Sequence, residues 1–334
     1  MININTNNKG AAFHFSVEDY IMQQASFCNN NPIMIIWQTD RCIMLGNYQV
    51  AEAEIDMKYA RLSDIDIIRR SSGGGTIFTD NGTAFVTLIS PRLSTNNWQQ
   101  TVSEKEKFTA WLVAALNKMG ISAISAGRND IHLDGKKICG IAQYSRNKKV
   151  CTHASILYNT DLDVLDRILC VDDEKILSKA VTSVRSRVTN IVEHINASWT
   201  MSEFCDLLKM ELSASQKTNE YTLTNGDLLE IDNIYKTKYG NPSWTSETSP
   251  EFSFHNGKRF DAGRIDVYLN VKKGVVVSCS IQGDFLGTVP IRDLEEIFEG
   301  VQFKYDNFLE ALEGIFLNPY FGNISKEEFL SCIF

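Results

Sequence analysis

The sequence contains no long hydrophobic run and no secretion-like start. None of its apolar stretches approaches the about 18 residues that a membrane-spanning helix requires. The opening residues, MININTNNKG, lack the basic start and apolar core of a signal peptide. We therefore expect a cytoplasmic protein that makes no membrane contact.

Metal-binding cysteine patterns and an excess of basic residues are also missing. The eight cysteines form no CxxC pair and have no histidine at zinc spacing, which favours reduced thiols. A net charge of −8 disfavours non-specific binding to nucleic acid. What remains is an ordinary globular composition, 43% hydrophobic and 22% charged, in a chain of 334 residues that suffices for one large and one small domain.

Apolar periodicity predicts a mixture of strands and helices. Short apolar runs at 32–37 and 42–46 predict strands, and residues 129–158 predict an antiparallel meander. The DNG turn at 80–82 predicts a hairpin between its flanking strands. Helices are predicted near 15–24 (capped by Ser16), 104–119 (ended by Gly120), 162–170, 202–213 and 226–239.

A turn-rich stretch at 239–250 is the best candidate for a linker. Beyond it, a strand–turn–strand pattern at 263–285 is followed by two helical segments, near 290–299 and 304–316. We therefore expect an α+β protein. Residues 1–246 would form a large domain with a mixed, mainly antiparallel sheet flanked by helices, and residues 252–334 a small C-terminal α+β domain.

The stretch RRSSGGGTIFTDNG (69–82) has the chemistry of an anion site. Glycines let successive backbone N–H groups approach a ligand and form a concavity that binds phosphate. Arg69 and Arg70 could clamp the same anion. The stretch contains neither the Gly-Lys-Ser/Thr of the ATPase phosphate loop nor G-x-G-x-x-G. The alternative is a glycine-rich hairpin or bulge without a chemical role.

A second stretch, GRNDIHLDGKKICGIAQY (127–144), contains a lysine pair after a tight turn. Lys136 and Lys137 should point to opposite faces of a strand, so one of them faces the sheet interior and needs an anionic partner. Asn129 and Asp130 could offer oxygen ligands to Mg²⁺. The alternative is that both lysines are ordinary solvated turn residues.

The third stretch, TSVRSRVTNI (182–191), alternates Arg185 and Arg187 with valines. This pattern predicts a basic ridge on an extended segment, or simply a solvated face. Two cysteines near charged residues also allow a nucleophile. Cys139 follows Lys137, and Cys151 precedes His153, which could activate a thiolate. The alternative is that both cysteines fill apolar space in a strand.

These three stretches, in this order, resemble the signatures of lipoate–protein ligases, and the C-terminal unit resembles the two-domain form of that family. The resemblance implies a fold shared with biotin–protein ligases. It also implies a two-step reaction with ATP and Mg²⁺: lipoate and ATP give lipoyl-AMP and pyrophosphate, and the lipoyl group then passes to a lysine. The implied acceptors are lipoyl domains of 2-oxoacid dehydrogenase complexes or the glycine cleavage H protein.

The resemblance also implies roles for particular residues. Lys137 would bridge the α-phosphate and the acyl oxygen, Arg70 would contact the adenylate or the lipoate carboxyl end, and Asp130 would contact Mg²⁺. The full set expected to bind substrate or ATP is Arg70, Ser72, Gly73, Gly74, Gly75, Thr76, Ile77, Phe78, Asn129, Lys137 and His153. The residues expected at the acyl pocket are Glu18, Gly46 and Gln49.

The sequence departs from the family pattern at Val50, Cys139 and Ala154. The change to Ala154 could narrow the approach to the acyl pocket, which leaves the choice between lipoate and octanoate or an analogue open. Three rivals remain: a transferase that uses a cysteine and no ATP, a biotin ligase (whose Gly-Arg-Gly-Arg loop is absent), and a non-catalytic lipoate-binding paralogue. The small domain is expected to rotate between the two steps. The acceptor protein is expected to meet basic residues, namely Arg128, Lys136, Arg146, Lys148 and Lys149.

Overall fold

The structure is a computed structural model that describes residues 1–6, 10–23, 31–91, 98–169, 184–214, 217–245 and 252–334. The last part of the expected linker, 246–250, and the first two residues of the third stretch lie outside the described residues. Among the described residues, no helix is both long and apolar enough to cross a membrane.

The strands, in chain order, are β1 (Ile2–Ile4), β2 (Ile33–Trp37), β3 (Cys42–Leu45), β4 (Asp66–Arg69), β5 (Ile77–Thr79), β6 (Thr83–Pro91), β7 (Ile124–Ala126), β8 (Asp130–Leu133), β9 (Lys136–Arg146), β10 (Lys149–Leu157), β11 (Asn219–Tyr221), β12 (Phe254–Phe260), β13 (Gly263–Lys272) and β14 (Val275–Gly283).

The α-helices are α1 (Ala11–Gln23), α2 (Ala51–Glu54), α3 (Met57–Leu62), α4 (Trp98–Lys118), α5 (Leu162–Ile168), α6 (Val184–Arg187), α7 (Met201–Ser213), α8 (Asn225–Ile234), α9 (Pro242–Thr245), α10 (Arg292–Phe298), α11 (Tyr305–Ala311), α12 (Asn318–Phe321) and α13 (Lys326–Leu330). A 3₁₀ turn covers Ile191–Glu193, and a π-helical turn covers Tyr235–Tyr239.

The main sheet has the strand order β11-β1-β2-β6-β10-β9-β8-β7. From β2 to β7 every pairing is antiparallel, whereas β1 pairs in parallel with both β2 and β11. A small sheet, β4-β3-β5, supports the glycine-rich stretch, and β12-β13-β14 form the sheet of the C-terminal unit. The predicted fold class is confirmed, including the antiparallel meander of β8, β9 and β10.

Apolar cores lie on both faces of the main sheet. Phe15 and Ile21 of α1 pack with Trp37 on one face, and Phe108 of α4 packs with Phe204 of α7 on the other. A further core is formed within residues 262–333 of the C-terminal unit. This arrangement fixes α1 and the central strands as the rigid frame around the site described below.

The predicted hairpin around DNG is wrong, although the turn itself forms. Thr83 N donates to Asp80 O at 2.9 Å. However, β5 pairs with β3 in the small sheet, and β6 pairs with β2 and β10 in the main sheet. The turn is held by a distant loop instead: Asn159 N donates to Gly82 O at 2.9 Å, and a Cβ on Gly82 would lie 1.9 Å from Asn159 O.

Two further local predictions are wrong. Helix α1 begins at Ala11, so Ser16 lies inside it and donates its hydroxyl to Ala12 O at 2.7 Å rather than capping it. The segment with Arg185 and Arg187 is one turn of helix, not an extended ridge. The chain becomes extended only at Val188, where it forms a parallel bridge with Lys137. By contrast, Gly120 follows α4 with φ +83°, as predicted for a helix end.

Candidate active site

A β-bulge brings Lys137 into the site. Ile131 of β8 pairs with Cys139 of β9, but the next residue, His132, pairs with Lys137, so Ile138 is an extra residue. A bulge re-aims the side chains that flank it, and here Lys137 lies on the same face as Gly140. A Cβ on Gly140 would lie 3.2 Å from Lys137 Nζ. The absent side chain of Gly140 therefore leaves room for the ammonium.

Lys137 and its neighbour differ in exposure, as their predicted opposite orientations require. Lys136 is exposed, whereas the side chain of Lys137 is 33% exposed. The Lys137 ammonium lies 2.8 Å from Asp130 Oδ1 on the adjacent strand. Asn129, beside Asp130, donates its amide to Ile141 O at 3.1 Å and so fixes the end of β8.

The glycine triplet forms a tight loop between β4 and β5. Gly74 has φ +92°, a left-handed conformation that favours glycine. Gly73 lies against the C-terminal unit, since a Cβ there would be 2.4 Å from Phe285 O, and Gly74 N donates to the same oxygen at 3.0 Å. Gly46 lies beneath the loop, because its Cβ would be 1.9 Å from Gly74 O.

Arg70 is buried behind this loop and binds its carbonyl groups. Its Nη2 donates to Gly73 O and to Gly75 O, both at 2.8 Å, and its Nη1 donates to Met44 O at 2.9 Å. Its Nε donates to Ser72 Oγ at 3.1 Å. Burial, with a smaller contribution from neighbouring Arg69, lowers the pKa of Arg70 to about 10. Arg70 thus holds the glycine loop while its charge borders the cavity.

Arg69 points elsewhere, so the expectation that both arginines clamp one anion is wrong. Successive residues of a strand face opposite sides, and the Arg69 guanidinium donates to a different set of carbonyls. These are the carbonyls of Gly46, Asn47, Gln49, Trp244 and Thr245, at 2.6–3.2 Å. Arg69 therefore joins the 46–49 loop to helix α9.

A buried polar chain continues from Ser72. Its Oγ lies 2.7 Å from His153 Nε2, and His153 Nδ1 lies 3.2 Å from Glu18 Oε2. Glu18 Oε1 accepts from Thr87 Oγ1 at 2.6 Å. The side chain of Glu18 is 2% exposed and that of His153 is 8% exposed. A carboxylate, an imidazole and a hydroxyl thus lie in sequence behind the glycine loop.

Two adjoining cavities meet at Lys137. The narrower cavity is about 120 Å³ and is lined by Phe15, Met44, Arg70, Gly74, Gly75, Thr76, Ile77, Phe85, Asn129, Lys137, Gly140, Ile141, Ala142, His153, Ala154, Ser155 and Leu286. The wider cavity is about 590 Å³. It shares Gly75, Thr76, Ile77, Lys137, Gly140 and Ser155. It adds polar or charged residues, including Asp130, His132, Ser186, Arg187 and Asp284, and apolar ones, including Phe78, Leu157 and Val188.

The structure thus brings together most of the residues expected from the sequence. Phe78 lines the wider cavity, while Ser72 and Gly73 lie in the loop wall. The expected acyl-pocket residues Gly46 and Gln49 lie behind that wall, where Gln49 Oε1 accepts from Gly46 N at 2.8 Å and from Thr76 Oγ1 at 2.9 Å. Their expected ligand contacts stay predictions.

Several lining residues were not anticipated from the sequence. Nothing in the local sequence distinguishes Phe15, Phe85 or Leu286 as lining residues, and Leu286 reaches the cavity from the C-terminal unit. Ser155 had a usable signal, since it lies two residues after His153 on β10 and so shares its face. The two arginines of the third stretch diverge: Arg187 borders the wider cavity, whereas Arg185 lies 3.6 Å from Asp163.

The two candidate cysteine nucleophiles are both fully buried in apolar cores. Burial raises the pKa of the Cys139 thiol to about 12. Burial, together with the charge of Glu18, raises the pKa of Cys151 well above its ordinary value. The thiolate is the nucleophilic form, so the expectation of a reactive cysteine is contradicted at both positions. Ligand atoms of Cys151, Glu18 and His153 lie within 4.8 Å of one another, but a protonated thiol is a poor metal ligand.

The segment before the C-terminal unit also contacts the start of the glycine-rich stretch. Ser71 Oγ lies 2.7 Å from Tyr239 Oη and 2.8 Å from Lys238 Nζ. Lys238 Nζ also donates to the buried carboxylate of Asp19 at 2.7 Å. Residues 69–75 are therefore held by both the preceding segment and the C-terminal unit.

Comparison with known proteins agrees with this geometry. Residues 10–213 match the family described as "Lipoyl protein ligase A/B catalytic domain", and residues 249–333 match "Bacterial lipoate protein ligase C-terminus". The chain is 33% identical over 333 residues to the lipoate-protein ligase LplJ of Bacillus subtilis, covering 99% of this chain and 98% of that protein.

Solved structures show the same fold. Plasmodium falciparum LipL1 in complex with lipoate gives a TM-score of 0.77 at 21% identity, covering 99% of this chain and 97% of that one. A lipoate-protein ligase A bound with ATP gives 0.62 at 22% identity, covering 73% and 97%. A bipartite Thermoplasma acidophilum ligase, studied with its E2 lipoyl domain, gives 0.64 at 24% identity, covering 76% and 98%.

Fold and site together fit an acid-activating enzyme, with a mainly apolar narrower cavity, a wider cavity of mixed lining and a lysine that borders both. By its sequence relatives and family matches, the chain belongs to the lipoate–protein ligase family, which confirms the resemblance drawn from the three motifs.

Proposed function

We propose that this chain is an ATP-dependent lipoate–protein ligase that makes lipoyl-AMP and transfers the lipoyl group to a lysine of an acceptor protein. The observation that carries the proposal is the position of Lys137, whose side chain borders both the narrower and the wider cavity. A lipoate in the first cavity and an ATP in the second would meet at this ammonium.

The chemistry requires such an arrangement. In the first step a carboxylate oxygen bonds to the α-phosphorus, and the bond from that phosphorus to the oxygen of the departing pyrophosphate breaks. Two anions must approach each other, so a fixed ammonium and oriented N–H groups lower the barrier by neutralising the charge that develops. In the second step the acceptor amine attacks the acyl carbon, AMP leaves, and the amine loses a proton.

The narrower cavity suits the lipoyl chain. Phe15, Met44, Phe85 and Ile141 supply apolar walls, and His153, Ser155 and Lys137 supply polar groups at one side. Such a cavity excludes water and so protects the adenylate from hydrolysis. Ala154, where the family pattern has glycine, lies in this wall, so lipoate and octanoate should be compared directly as substrates.

Asp130 is our candidate for the Mg²⁺ contact. Its carboxylate borders the wider cavity and its side chain is 29% exposed. This fits a metal that is bound through one or two carboxylates and the phosphates of a nucleotide. Mg²⁺ bound there would neutralise part of the phosphate charge, while Asp130 also orients the Lys137 ammonium.

The acceptor proteins proposed here are lipoyl domains of 2-oxoacid dehydrogenase complexes or the glycine cleavage H protein. The Thermoplasma acidophilum ligase, which was studied with its E2 lipoyl domain, supports the first class. Arg128, Lys136, Arg146 and Lys148 are exposed around the meander, and Lys149 is half-buried, donating to Ile21 O. An acidic acceptor surface would dock against this basic group, so transfer should slow as salt concentration rises.

The proposed division of the chain is a catalytic domain over 1–246 and an accessory domain over 252–334. The separate apolar core within 262–333 supports it. Rotation of the accessory domain between the two steps would remove Leu286 and Phe285 from the site. The cytoplasm is the proposed location, because the described cysteines are free thiols.

Mass spectrometry of the product tests this function. The protein is incubated with ATP, Mg²⁺ and lipoate, and lipoyl-AMP bound to it is expected, with none formed when ATP is omitted. Octanoate serves as a parallel substrate. Lipoylation of an acceptor domain from free lipoate without any nucleotide would overturn the proposal.

A further inference from the structure

A buried chain of polar side chains ends on the glycine loop. Of its members, His153 borders the narrower cavity, whereas neither Glu18 nor Ser72 lines it. We propose that Glu18, His153 and Ser72 are positioning residues that orient Arg70. Arg70 in turn orients the N–H groups of the loop, which would donate hydrogen bonds to the phosphate oxygens of ATP. This inference rests on the proposed function. It replaces the expected role of Glu18 as an acyl-pocket wall with a role toward ATP.

Arg70 binds two carbonyl groups of the glycine loop. Its Nη2 donates to the carbonyls of both Gly73 and Gly75. A peptide unit is planar and trans, so the N–H of Gly74 points opposite to the C=O of Gly73, and the N–H of Thr76 points opposite to the C=O of Gly75. Holding these two carbonyls on the Arg70 side therefore directs two amides to the other side.

The direction of the Gly74 amide confirms this geometry. Gly74 N donates at 3.0 Å to Phe285 O, an oxygen from a distant segment of the chain. The amide is thus able to donate to an oxygen outside its own loop. Successive amides of this kind form an anion-binding concavity. If the carbonyls turned instead, their oxygens would face the phosphates and repel them.

Arg70 is itself held by Ser72, His153 and Glu18. Its Nε can only donate, so Ser72 Oγ accepts at 3.1 Å and directs its own hydrogen to His153 Nε2 at 2.7 Å. The carboxylate of Glu18 accepts from the Nδ1 proton of His153 at 3.2 Å. Glu18 therefore selects the tautomer in which Nε2 accepts from Ser72, and every group in the chain is satisfied.

The row of polar side chains is anchored in the rigid frame formed by α1 and the central strands. Glu18 lies on α1, and its Oε1 accepts from Thr87 of β6, whose Oγ1 in turn accepts from Trp37 Nε1 at 3.2 Å. Each of these groups is buried, and buried hydrogen bonds that are all satisfied specify one geometry. The loop conformation thus depends on a helix and two strands of the main sheet.

The test compares ATP with lipoate. In Glu18→Gln the side chain keeps its size but loses its charge, and in Ser72→Ala the link between His153 and Arg70 is lost. Calorimetric titration with ATP should show a Kd raised about tenfold in each, as expected for one charge-assisted hydrogen bond. The KM for lipoate in ATP–pyrophosphate exchange should change less than about twofold, because the apolar cavity wall is intact.

A double variant shows whether the residues act as one chain. If they do, Glu18→Gln combined with Ser72→Ala should weaken ATP binding no more than Ser72→Ala alone. His255→Gln is the matched control, since it breaks a histidine–carboxylate pair (Nε2 to Asp266 Oδ1, 3.3 Å) in the C-terminal unit. It should leave the Kd for ATP unchanged. Melting temperatures identify any variant that fails to fold, and Glu18→Gln, which removes no atoms from the core, then decides alone.

The proposal would be overturned if Glu18→Gln raised the KM for lipoate and left the Kd for ATP unchanged. That result would support the expected role of Glu18 at the acyl pocket. Additive effects in the double variant would also contradict a single chain. Failure of the proposed function looks different: the wild-type protein would then show no lipoate-dependent exchange, while the comparison of ATP affinities would still be measurable.

Discussion

Lys137 Nζ lies 2.8 Å from Asp130 Oδ1, and both side chains border the wider cavity. The carboxylate restrains an ammonium that would otherwise swing freely on its four-carbon stem. The pair also places a candidate metal ligand beside the candidate anion ligand. Phosphates bound there would lie beside two positive charges on neighbouring strands, the Lys137 ammonium and a metal ion held by Asp130.

Removing the charge of Asp130 should therefore alter the requirement for metal. In Asp130→Asn we expect the concentration of Mg²⁺ needed for half-maximal pyrophosphate release to rise about tenfold, because one anionic ligand is lost. A titration of activity with Mg²⁺ measures this. Asp134→Asn, in the adjacent turn, is the matched control. An unchanged Mg²⁺ requirement in Asp130→Asn would show that Asp130 does not bind the metal.

Gly75 offers a substitution that separates folding from binding. A Cβ there would have no atom within 4 Å, yet the residue borders both cavities. Gly75→Ala should change the free energy of unfolding by less than about 1 kcal/mol. Its methyl group projects where the substrates are expected, so the KM for ATP should rise several-fold. Gly226→Ala, an exposed site far from the cavities, provides the control. Wild-type kinetics in Gly75→Ala would place the ligand elsewhere.

The buried cysteines should be dispensable for the chemistry. Because burial raises the pKa of Cys139 to about 12, its thiol stays protonated at neutral pH and deprotonates only near that raised value. Cys139→Ala and Cys151→Ala should each keep ligation within about threefold of the wild type, while losing about 1–2 kcal/mol of stability from the small cavity left. Loss of all activity in a variant that still folds would support the alternative function, a transferase that uses a cysteine nucleophile.

The contacts of Phe285 and Leu286 predict a movement of the C-terminal unit. Phe285 O accepts a hydrogen bond from the Gly74 amide, and Leu286 lines the narrower cavity. Phosphates cannot bind the Gly74 amide while Phe285 O accepts from it, so this segment must shift when ATP binds. The rotation proposed between the two steps would then admit the acceptor lysine. Small-angle scattering of the protein with and without bound lipoyl-AMP should therefore give different radii of gyration. Superimposable profiles would argue for a fixed arrangement.

The sequence predicted the sheet class, the meander and the three motifs that converge on one site. These features depend on local patterns: alternation in strands, the glycine triplet, and a tight turn before Lys136. The β-bulge beside Lys137 was not predictable, because it arises from the register between β8 and β9. A one-residue shift in register reverses the face of every following side chain. Lysine spacing alone could not show that Lys137 borders both cavities.

Other differences also come from non-local contacts. The DNG turn was read as a hairpin, but the loop at Asn159 holds it while its strands enter different sheets. The start of α1 was misplaced because the helix is buried on almost every side, so it has no polar face to mark its limits. Arg70 looked like an anion clamp, whereas its position depends on carbonyls that only the folded loop brings together.

The most direct test of the account is lipoate-dependent ATP–pyrophosphate exchange in Lys137→Ala, with Lys136→Ala from the same turn as its control. If the Lys137 ammonium neutralises the two anions as they react, exchange should fall by at least about a hundredfold in Lys137→Ala, and Lys136→Ala should retain it. Undiminished exchange in a folded Lys137→Ala protein would contradict the account.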